Sequence, residues 1–324
     1  MKSGSIKIVA PASAPDEART LPGLGADELY FSVQPPGART ATSRRELPRA
    51  NFSDAEEVEL AVRIAIKRNA RLFVALNKTF YIDREMREVK RLLDRCLEAG
   101  VHGAIVADPG LLRLLHGEKY PDRAEIVLST VAAATNAEAV KFFSRFGISR
   151  VILPRTTGPE AAARLVKKFP RLDFEVLIFN WYCANLDGAC RFQHDLADPD
   201  RAPDLARNGC CLECEISRPG GEPAPVHISS AFSEVYRRSD TACGACSMYD
   251  FAIAGVKYFK AAGRLLERKQ KEDSVIFLGD CRAILENCGD GKKFQRLARR
   301  RYETFFGKPC SGVCYHGIRE AAGE

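Results

Sequence analysis

Short apolar runs rich in β-branched and aromatic residues recur along the chain, and most are followed by a segment in which apolar positions repeat every three or four residues. The runs are IKIVAP from residue 6, ELYFSV from 28, RLFVALN from 71, GAIVAD from 103, EIVLS from 125, RVILPR from 150, FEVLIFN from 174 and VKYFKAAG from 256. The helical segments are DAEEVELAVRIAIKRNA from 54, MREVKRLLDRCLEAG from 86, NAEAVKFFSRFG from 136 and PEAAARLVKKF from 159. This alternation predicts an α/β fold with a parallel sheet, and eight strands favour a TIM-like (β/α)₈ barrel. An open doubly wound sheet has nearly the same pattern and is the alternative.

Helix caps and strand ends agree with this prediction. Asn51–Asp54 offers N-cap residues, and Gly100 and Gly147 are placed to end helices. Polar residues stand where strands finish, namely Asn77, Asp108, Ser129, Arg155 and Asn180. In a barrel these positions surround the active site, although loops are commonly polar for no functional reason.

The alternation stops between strands 7 and 8, where residues 184–247 are rich in Pro, Asp and Gly and contain many cysteines. We predict a barrel domain over residues 1–268 that includes this cysteine-rich insertion, followed by a C-terminal extension over 269–324. The extension contains a strand-like run, SVIFLGD, and a basic helix candidate, KKFQRLARRRYETFF. The simplest interpretation of that helix is a solvated charged surface, with RNA or anionic lipid contact as the alternative.

Composition narrows the class of protein. Hydrophobic residues make up 46% of the 324 positions and charged residues 28%, as is typical of globular proteins. The net charge of +7 is compatible with RNA but shows no binding face by itself. We find no signal-peptide core and no apolar run long enough to span a membrane, so we expect a cytoplasmic protein.

Cysteines are the most informative residues, because structural disulfides are rare in the cytoplasm. Eleven of the twelve follow residue 182: Cys183, Cys190, Cys210, Cys211, Cys214, Cys243, Cys246, Cys281, Cys288, Cys310 and Cys314. Spacing leaves three explanations open, which are an iron-sulfur cluster, a zinc site and unrelated buried thiols. The remaining one, Cys96, is on the apolar face of a predicted helix, where we expect a buried thiol.

Hydrolytic chemistry has little support. We find no HExxH motif and no Ser, His and Asp arrangement, and the five histidines show no ligand spacing.

Several stretches occur in a characteristic order: KIVAPAS, GADELYFSV, ANFS, IVADPGLLRLL, LSTVAAATNAEAVKFFSRFGISRVILPR, EVLIFNWYC with GAC, NGCCLEC and AGVKYFKAAGR. Together they resemble the collagenase-like peptidase family, peptidase family U32, over about residues 6–268. The chain is similar to the short UbiU- and UbiV-type iron-sulfur members. The resemblance implies a TIM-type barrel and oxygen-independent hydroxylation, which in some members acts on RNA bases with oxygen taken from prephenate.

The resemblance also implies site residues. A [4Fe-4S] cluster would be held by Cys183, Cys190, Cys210 and Cys243, with Cys211, Cys214 and Cys246 as substitutes. Arg155, Lys260 and Arg264 match basic positions of the family and would bind the carboxylates of an oxygen donor such as prephenate. With the strand-end residues Asn77, Ser129 and Asn180 they form the predicted substrate-binding set.

Three departures from the family pattern concern the substrate side. Phe179-Asn180 stands where many members have His-Gly, Arg155-Thr156 stands in place of an Arg-Glu pair, and KAAGR ending at Arg264 stands where they have KIEGR. Because two acidic groups are missing, the family's substrate is less securely assigned to this chain, and peptidase activity less securely still.

Our leading hypothesis is therefore a [4Fe-4S] protein, an enzyme or a subunit of one, that hydroxylates an aromatic or quinone-precursor substrate, as in ubiquinone biosynthesis. The alternatives are an RNA base hydroxylase of the same family and a non-catalytic cluster-bearing subunit with a homologous partner. Peptidase activity comes last.

Overall fold

The computed structural model describes residues 6–33, 51–180, 187–188, 242–310 and 314–316. Five of the cysteines proposed as cluster ligands or substitutes lie outside the described residues: Cys183, Cys190, Cys210, Cys211 and Cys214. Most of the predicted insertion at 184–247 also lies outside them.

Eight parallel strands close into a barrel, which confirms the predicted (β/α)₈ architecture. The strands are β1 (Lys7–Pro11), β2 (Glu28–Phe31), β3 (Arg71–Leu76), β4 (Gly103–Val106), β5 (Glu125–Leu128), β6 (Arg150–Ile152), β7 (Asp173–Phe179) and β8 (Tyr258–Ala261). Each strand pairs with its neighbour in sequence, and β1 pairs with β8, so that Ile8 lies opposite Phe259. Closure leaves none of these strands with a free edge.

Nine α-helices surround this barrel in the part of the chain that the structure describes. They are α1 (Glu17–Gly23), α2 (Ala55–Ile66), α3 (Asp83–Glu98), α4 (Pro109–Gly117), α5 (Ala137–Ser144), α6 (Pro159–Lys168), α7 (Met248–Ile253), α8 (Arg268–Glu286) and α9 (Gly291–Phe306). The predicted caps are present. Asp54 accepts a hydrogen bond from the Glu57 N–H at 2.9 Å, and Gly100 and Gly147 follow α3 and α5 with positive φ. None of the described helices is long and apolar enough to cross a membrane.

Apolar side chains form two main layers of core, with a small third cluster of Leu177, Ala242, Ala262 and Tyr315. The larger layer fills the space between the barrel and the helices and includes Cys96, which is buried in α3 as expected. The smaller layer lies inside the barrel and contains Val9, Tyr30, Phe73, Ile105, Val127 and Ile152. Because strand side chains alternate between the two faces, both sides of every strand are covered.

The prediction of a strand at SVIFLGD is wrong, because Ser274–Asp280 lies within α8. The buried residues of α8 include Lys271, Ser274, Leu278 and Cys281, which recur every three or four positions along one face. Val275, Ile276 and Phe277 favour a strand locally, but packing of this face against the barrel decides the conformation. The predicted basic helix is confirmed as α9.

Helices α8 and α9 pack into the same core as the barrel. Phe277 of α8 lies 5.2 Å from Phe179 of β7 between ring centroids, and Phe306 of α9 lies 5.9 Å from the same ring. In addition, the buried Lys271 ammonium donates to Glu17 of α1 at 2.9 Å. The predicted domain boundary at residue 268 coincides with the start of α8 and stays a prediction.

Candidate active site at the C-terminal end of the barrel

A cavity of about 140 Å³ opens at the C-terminal ends of the strands. Five of the six predicted substrate-binding residues line it: Asn77, Ser129, Arg155, Lys260 and Arg264. These residues are up to 187 positions apart in sequence, and barrel closure brings them together. This is the end at which TIM barrels carry their active sites.

Asn180, the sixth predicted residue, has a different role in the structure. Its backbone adopts a positive φ of 61°, and its side-chain amide donates a 2.8 Å hydrogen bond to the Ser274 hydroxyl of α8. Its carbonyl accepts a hydrogen bond from the Tyr315 hydroxyl. Asn180 therefore ties the end of β7 to the C-terminal segment and does not line the cavity.

Arg155 is held by an acidic residue that the sequence did not single out. Its guanidinium donates to both carboxylate oxygens of Asp187 at 2.5 Å, and the Thr130 hydroxyl donates to the same carboxylate at 3.2 Å. Gly188 makes this approach feasible, because a Cβ atom there would lie 2.1 Å from the Val131 carbonyl oxygen. The Asp187-Gly188 pair in LDGAC could have indicated this contact from the sequence, because such pairs are typical of turns in which the backbone closely approaches another segment.

Lys260 lies on the floor of the cavity and is buried. Its ammonium donates to the Glu175 carboxylate at 2.8 Å and lies 3.9 Å from the centroid of the Tyr30 ring. Burial lowers the pKa of Lys260, and the Glu175 charge opposes that shift. Burial alone would raise the pKa of Glu175, but the Lys260 and Arg150 charges hold it below its usual value.

An ionic cluster beneath the cavity, centred on Arg150, was missed by the sequence interpretation. The Arg150 guanidinium donates to Glu28 at 2.6 Å, to Glu175 at 2.9 Å and to Glu125 at 3.3 Å. It also stacks 3.6 Å from the centroid of the Tyr258 ring. The available signal was that Glu28, Arg71, Glu125 and Arg150 are each the first residue of a strand. At the N-terminal end of a barrel such residues usually serve stability.

The remaining polar lining residues are also oriented by neighbours. The Arg264 guanidinium donates to the Asn51 side-chain oxygen at 3.0 Å, and the Asn77 amide lies 3.5 Å from the Ser129 hydroxyl. Among the charged lining residues, Arg155, Lys260 and Arg264 are basic and Asp187 is acidic. The cavity is therefore suited to a small anion, and arginine in particular can bind a carboxylate through two parallel hydrogen bonds.

Cys243 is the one principal ligand candidate among the described residues. It forms a backbone bridge with Phe179 at the end of β7, and its sulfur accepts a hydrogen bond from the Ala245 N–H at 3.4 Å. Burial raises the pKa of this thiol well above its usual value, so a thiolate here needs a compensating positive charge. A bound metal would supply such a charge, whereas without one the side chain is a buried neutral thiol.

Three other described cysteines, Cys246, Cys281 and Cys310, lie close enough to Cys243 for a charge on their thiols to raise its pKa further. The Cys246 thiol donates to the Gln295 carbonyl at 3.9 Å, and the Cys288 thiol donates to the Asp290 carbonyl at 3.2 Å. Cys281 is buried within α8. Within the described ranges, no group of three or more His, Cys, Asp or Glu side chains is arranged to hold a metal ion.

Curated relatives with sequence similarity carry names that refer to tRNA. The chain is 28% identical over 208 residues to tRNA hydroxylation protein P1 of Bacillus subtilis, covering 64% of this chain and 46% of that protein. It is 25% identical over 210 residues to tRNA hydroxylation protein P of Escherichia coli, covering 65% of this chain and 44% of that protein. The chain thus spans about half the length of the curated relatives it matches.

Comparison with solved structures finds a U32 peptidase with a TM-score of 0.49 and 18% sequence identity, covering 81% of this chain and 95% of that one. The family model of peptidase family U32 matches residues 15–321, which is most of the chain. The resemblance noted in the sequence is thereby confirmed, and the chain belongs to peptidase family U32.

Proposed function

We propose that this chain takes part in oxygen-independent hydroxylation of an RNA base, with a small anionic oxygen donor bound in the barrel cavity. The observation that carries the proposal is the convergence of Arg155, Lys260 and Arg264 on one cavity in a relative of proteins named for tRNA hydroxylation. The quinone-precursor hypothesis has no counterpart in those names, so RNA is the preferred substrate class.

The charge of the cavity supports an anionic donor. The three basic lining residues are matched by two carboxylates, Asp187 in the lining and Glu175 beneath Lys260, which leaves an excess of one positive charge for an anionic donor such as prephenate. Asp187 and Glu175 keep two of the basic side chains in fixed positions, so little ordering is needed when an anion arrives. A hydroxylated base gains one oxygen atom between carbon and hydrogen, and the donor would supply that atom.

The second part of the proposal is a [4Fe-4S] cluster on Cys183, Cys190, Cys210 and Cys243. Thiolates are the usual ligands of such clusters, and the cluster would supply one-electron transfer next to the cavity. Cys243 supports this part through its burial, its N–H···S hydrogen bond and its place beside the end of β7.

The function is tested by nucleoside mass spectrometry of tRNA and rRNA from cells with and without the gene. We expect one nucleoside to lose the mass of one oxygen atom when the gene is deleted. Lys260→Met should fail to restore it, whereas Lys167→Met, a change to an exposed lysine on α6, should restore it fully. An unchanged set of nucleosides together with an altered quinone pool would refute the RNA proposal and support the quinone-precursor hypothesis instead.

The cluster is tested separately by anaerobic purification, with iron and sulfide analysis and visible absorption. Cys243→Ala should lower the iron content, and the matched Cys96→Ala variant, which alters a buried thiol of α3, should not. A colourless protein that holds zinc would refute the cluster. A homologous partner subunit, if present, should appear in the same purification.

A further inference from the structure

Helix α9 (Gly291–Phe306) is unlike the other described helices in charge. It has six basic residues and one acidic residue, a net charge of +5. In contrast, α3 has five basic and five acidic residues, and α8 has four of each. The net charge of +5 on this one helix therefore accounts for most of the net charge of +7 on the whole chain.

These charges are concentrated on one side of α9. Phe294, Ala298 and Tyr302 are buried against the rest of the protein. The exposed side, which we call the basic face, consists of Lys292, Lys293, Arg296, Arg299 and Arg300. Residues 292, 296 and 300 follow at intervals of four, so their side chains lie one above another along the helix.

The basic face is largely uncompensated. Among the described residues, Lys292, Lys293, Arg296 and Arg300 form no ion pair with a carboxylate, whereas Arg299 lies 3.5 Å from Glu303. Arg301, which points away from this face, is paired with Asp280 at 2.6 Å. Like charges four residues apart on a helix repel each other, so a bound anionic partner would reduce this repulsion.

The position of α9 relates this face to the cavity. Phe306, the last residue of the helix, stacks on Phe179, the last residue of β7. Since β7 ends at the cavity end of the barrel, α9 also ends there. A polyanion bound along the helix would therefore extend towards the rim of the cavity.

We infer that the basic face of α9 binds the phosphate backbone of the RNA substrate, an inference that rests on the proposed function. From residue 292 to residue 300 the helix rises about 12 Å, over which one strand of a nucleic acid presents roughly three or four phosphates. Arginine and lysine are the side chains that contact phosphates, and arginine can do so with two parallel hydrogen bonds.

An anionic membrane is the less suitable partner. Interfacial helices insert an apolar face into the lipid, but the apolar face of α9 is covered by the barrel. Leu297 is the only large apolar side chain of this helix among the exposed ones. Charge without an insertable apolar surface matches RNA better than lipid.

The test is the salt dependence of binding to a mixed tRNA fraction, measured by filter binding with the full chain. The fourfold variant Lys292→Gln, Lys293→Gln, Arg296→Gln and Arg300→Gln should bind at least about tenfold more weakly at low salt. The slope of log K against log salt should become shallower by about 2 to 4, because each lost phosphate contact removes about 0.7 to 0.9 of a released counterion. Its thermal midpoint should match that of the parent protein, since the four side chains are exposed.

The matched control replaces Arg84, Arg87, Arg91 and Arg95 of α3 by Gln. This control variant also loses four positive charges, but from a helix with equal numbers of basic and acidic residues. It should bind tRNA as tightly as the parent protein does. Equal slopes for the two variants would overturn the inference, as would binding to phosphatidylglycerol vesicles without binding to tRNA.

Formaldehyde crosslinking of the unmodified protein to tRNA gives a measurement that requires no variant. Crosslinks at Lys292 or Lys293 would support the inference, and crosslinks only elsewhere would overturn it. The outcome is separable from the proposed function. Hydroxylated RNA with unaltered binding by the α9 variant would refute the docking face alone, and face-dependent binding without any hydroxylated nucleoside would refute the hydroxylation alone.

Discussion

At the scale of single residues, buried charge is the feature that distinguishes this barrel. Arg150 is 2% exposed and contacts two carboxylates, Glu28 and Glu175, that are almost equally buried. Burial raises the pKa of Glu28, whereas two cations hold the pKa of Glu175 down. Because Glu175 also binds Lys260, the ionic cluster fixes the position of an ammonium group at the cavity floor.

We expect Arg150→Met to destabilise the protein by about 3 to 5 kcal/mol, because it removes the buried cation shared by Glu28 and Glu175 and leaves each of them with one remaining cation. Urea unfolding followed by circular dichroism measures the change. The control is Arg71→Met, since Arg71 contacts the same Glu28 but is 34% exposed, and it should cost about 1 kcal/mol or less. Similar losses in the two variants would show that burial of the cluster contributes little.

His102 gives a pH dependence of stability. Its Nδ1 atom accepts a hydrogen bond from the Leu72 N–H at 3.3 Å, and burial, followed by the Arg71 charge, lowers its pKa. The folded protein therefore binds fewer protons than the unfolded chain once the pH falls below about 6.5. The free energy of unfolding should decrease as the pH is lowered from there towards the folded pKa. In urea unfolding at several pH values, His102→Gln should weaken this slope, and an identical slope would contradict the assignment.

At the scale of elements, α8 and α9 show how a C-terminal segment becomes part of a barrel. Phe277 of α8 contacts Phe179 of β7 and, in α9, Tyr302 at 5.6 Å and Phe306 at 5.5 Å between ring centroids. Asn180 adds a hydrogen bond from the end of β7 to α8. The helix that carries the basic face is thus held by apolar packing on its opposite side.

Phe277→Ala should lower the free energy of unfolding by about 3 to 5 kcal/mol, because it leaves a cavity among the rings of Phe179, Tyr302, Phe305 and Phe306. Phe80→Ala is the matched control, since Phe80 is 61% exposed, and its effect should stay within about 0.5 kcal/mol. Both values follow from urea unfolding. A loss below 1 kcal/mol for Phe277→Ala would mean that the helices rest only loosely on the barrel.

At the scale of the whole molecule, one continuous apolar core joins strands and helices from both ends of the described chain. Val275, Phe277 and Phe294 belong to the same cluster as Ile8, Leu72 and Val151. Below the cavity this core is interrupted by the ionic cluster. The three basic residues proposed to bind an anion line the cavity itself. The ionic cluster therefore lies at the lower end of the barrel and the candidate site at the upper end, which is the end where TIM barrels carry their active sites.

We expect the barrel and the C-terminal helices to unfold in one cooperative step, because they share a core. Hydrogen exchange in increasing urea should give the same opening free energy for the most protected amides of β3 and of α8. Phe277→Ala should lower both values together. Earlier loss of protection in α8 would instead support the predicted domain boundary at residue 268 as a boundary between separate folding units.

The sequence predicted much of the fold because its signals are local. Alternation of apolar strands with periodic helices predicted the eight strands, and caps such as Asp54 predicted helix ends. The helix at 274–280 was missed, because its β-branched and aromatic residues resemble a strand until packing against the barrel is known. For the site, basic residues carried over from family motifs proved to line one cavity, whereas Asp187 and the ionic cluster carried no motif.

The order of hydrophobic and polar positions by itself determined that this chain forms a parallel α/β fold with eight strands, since each strand and helix is specified by nearby residues. It favoured a closed barrel over an open sheet, and the tertiary structure shows the closure. Only the tertiary structure decided that Lys260 shares Glu175 with Arg150, that Arg155 is held by Asp187, and that Asn180 turns away from the cavity. These relations join residues 25 to 94 positions apart. No periodicity can encode them, because they exist only once closure of the barrel places the strand ends around a common axis.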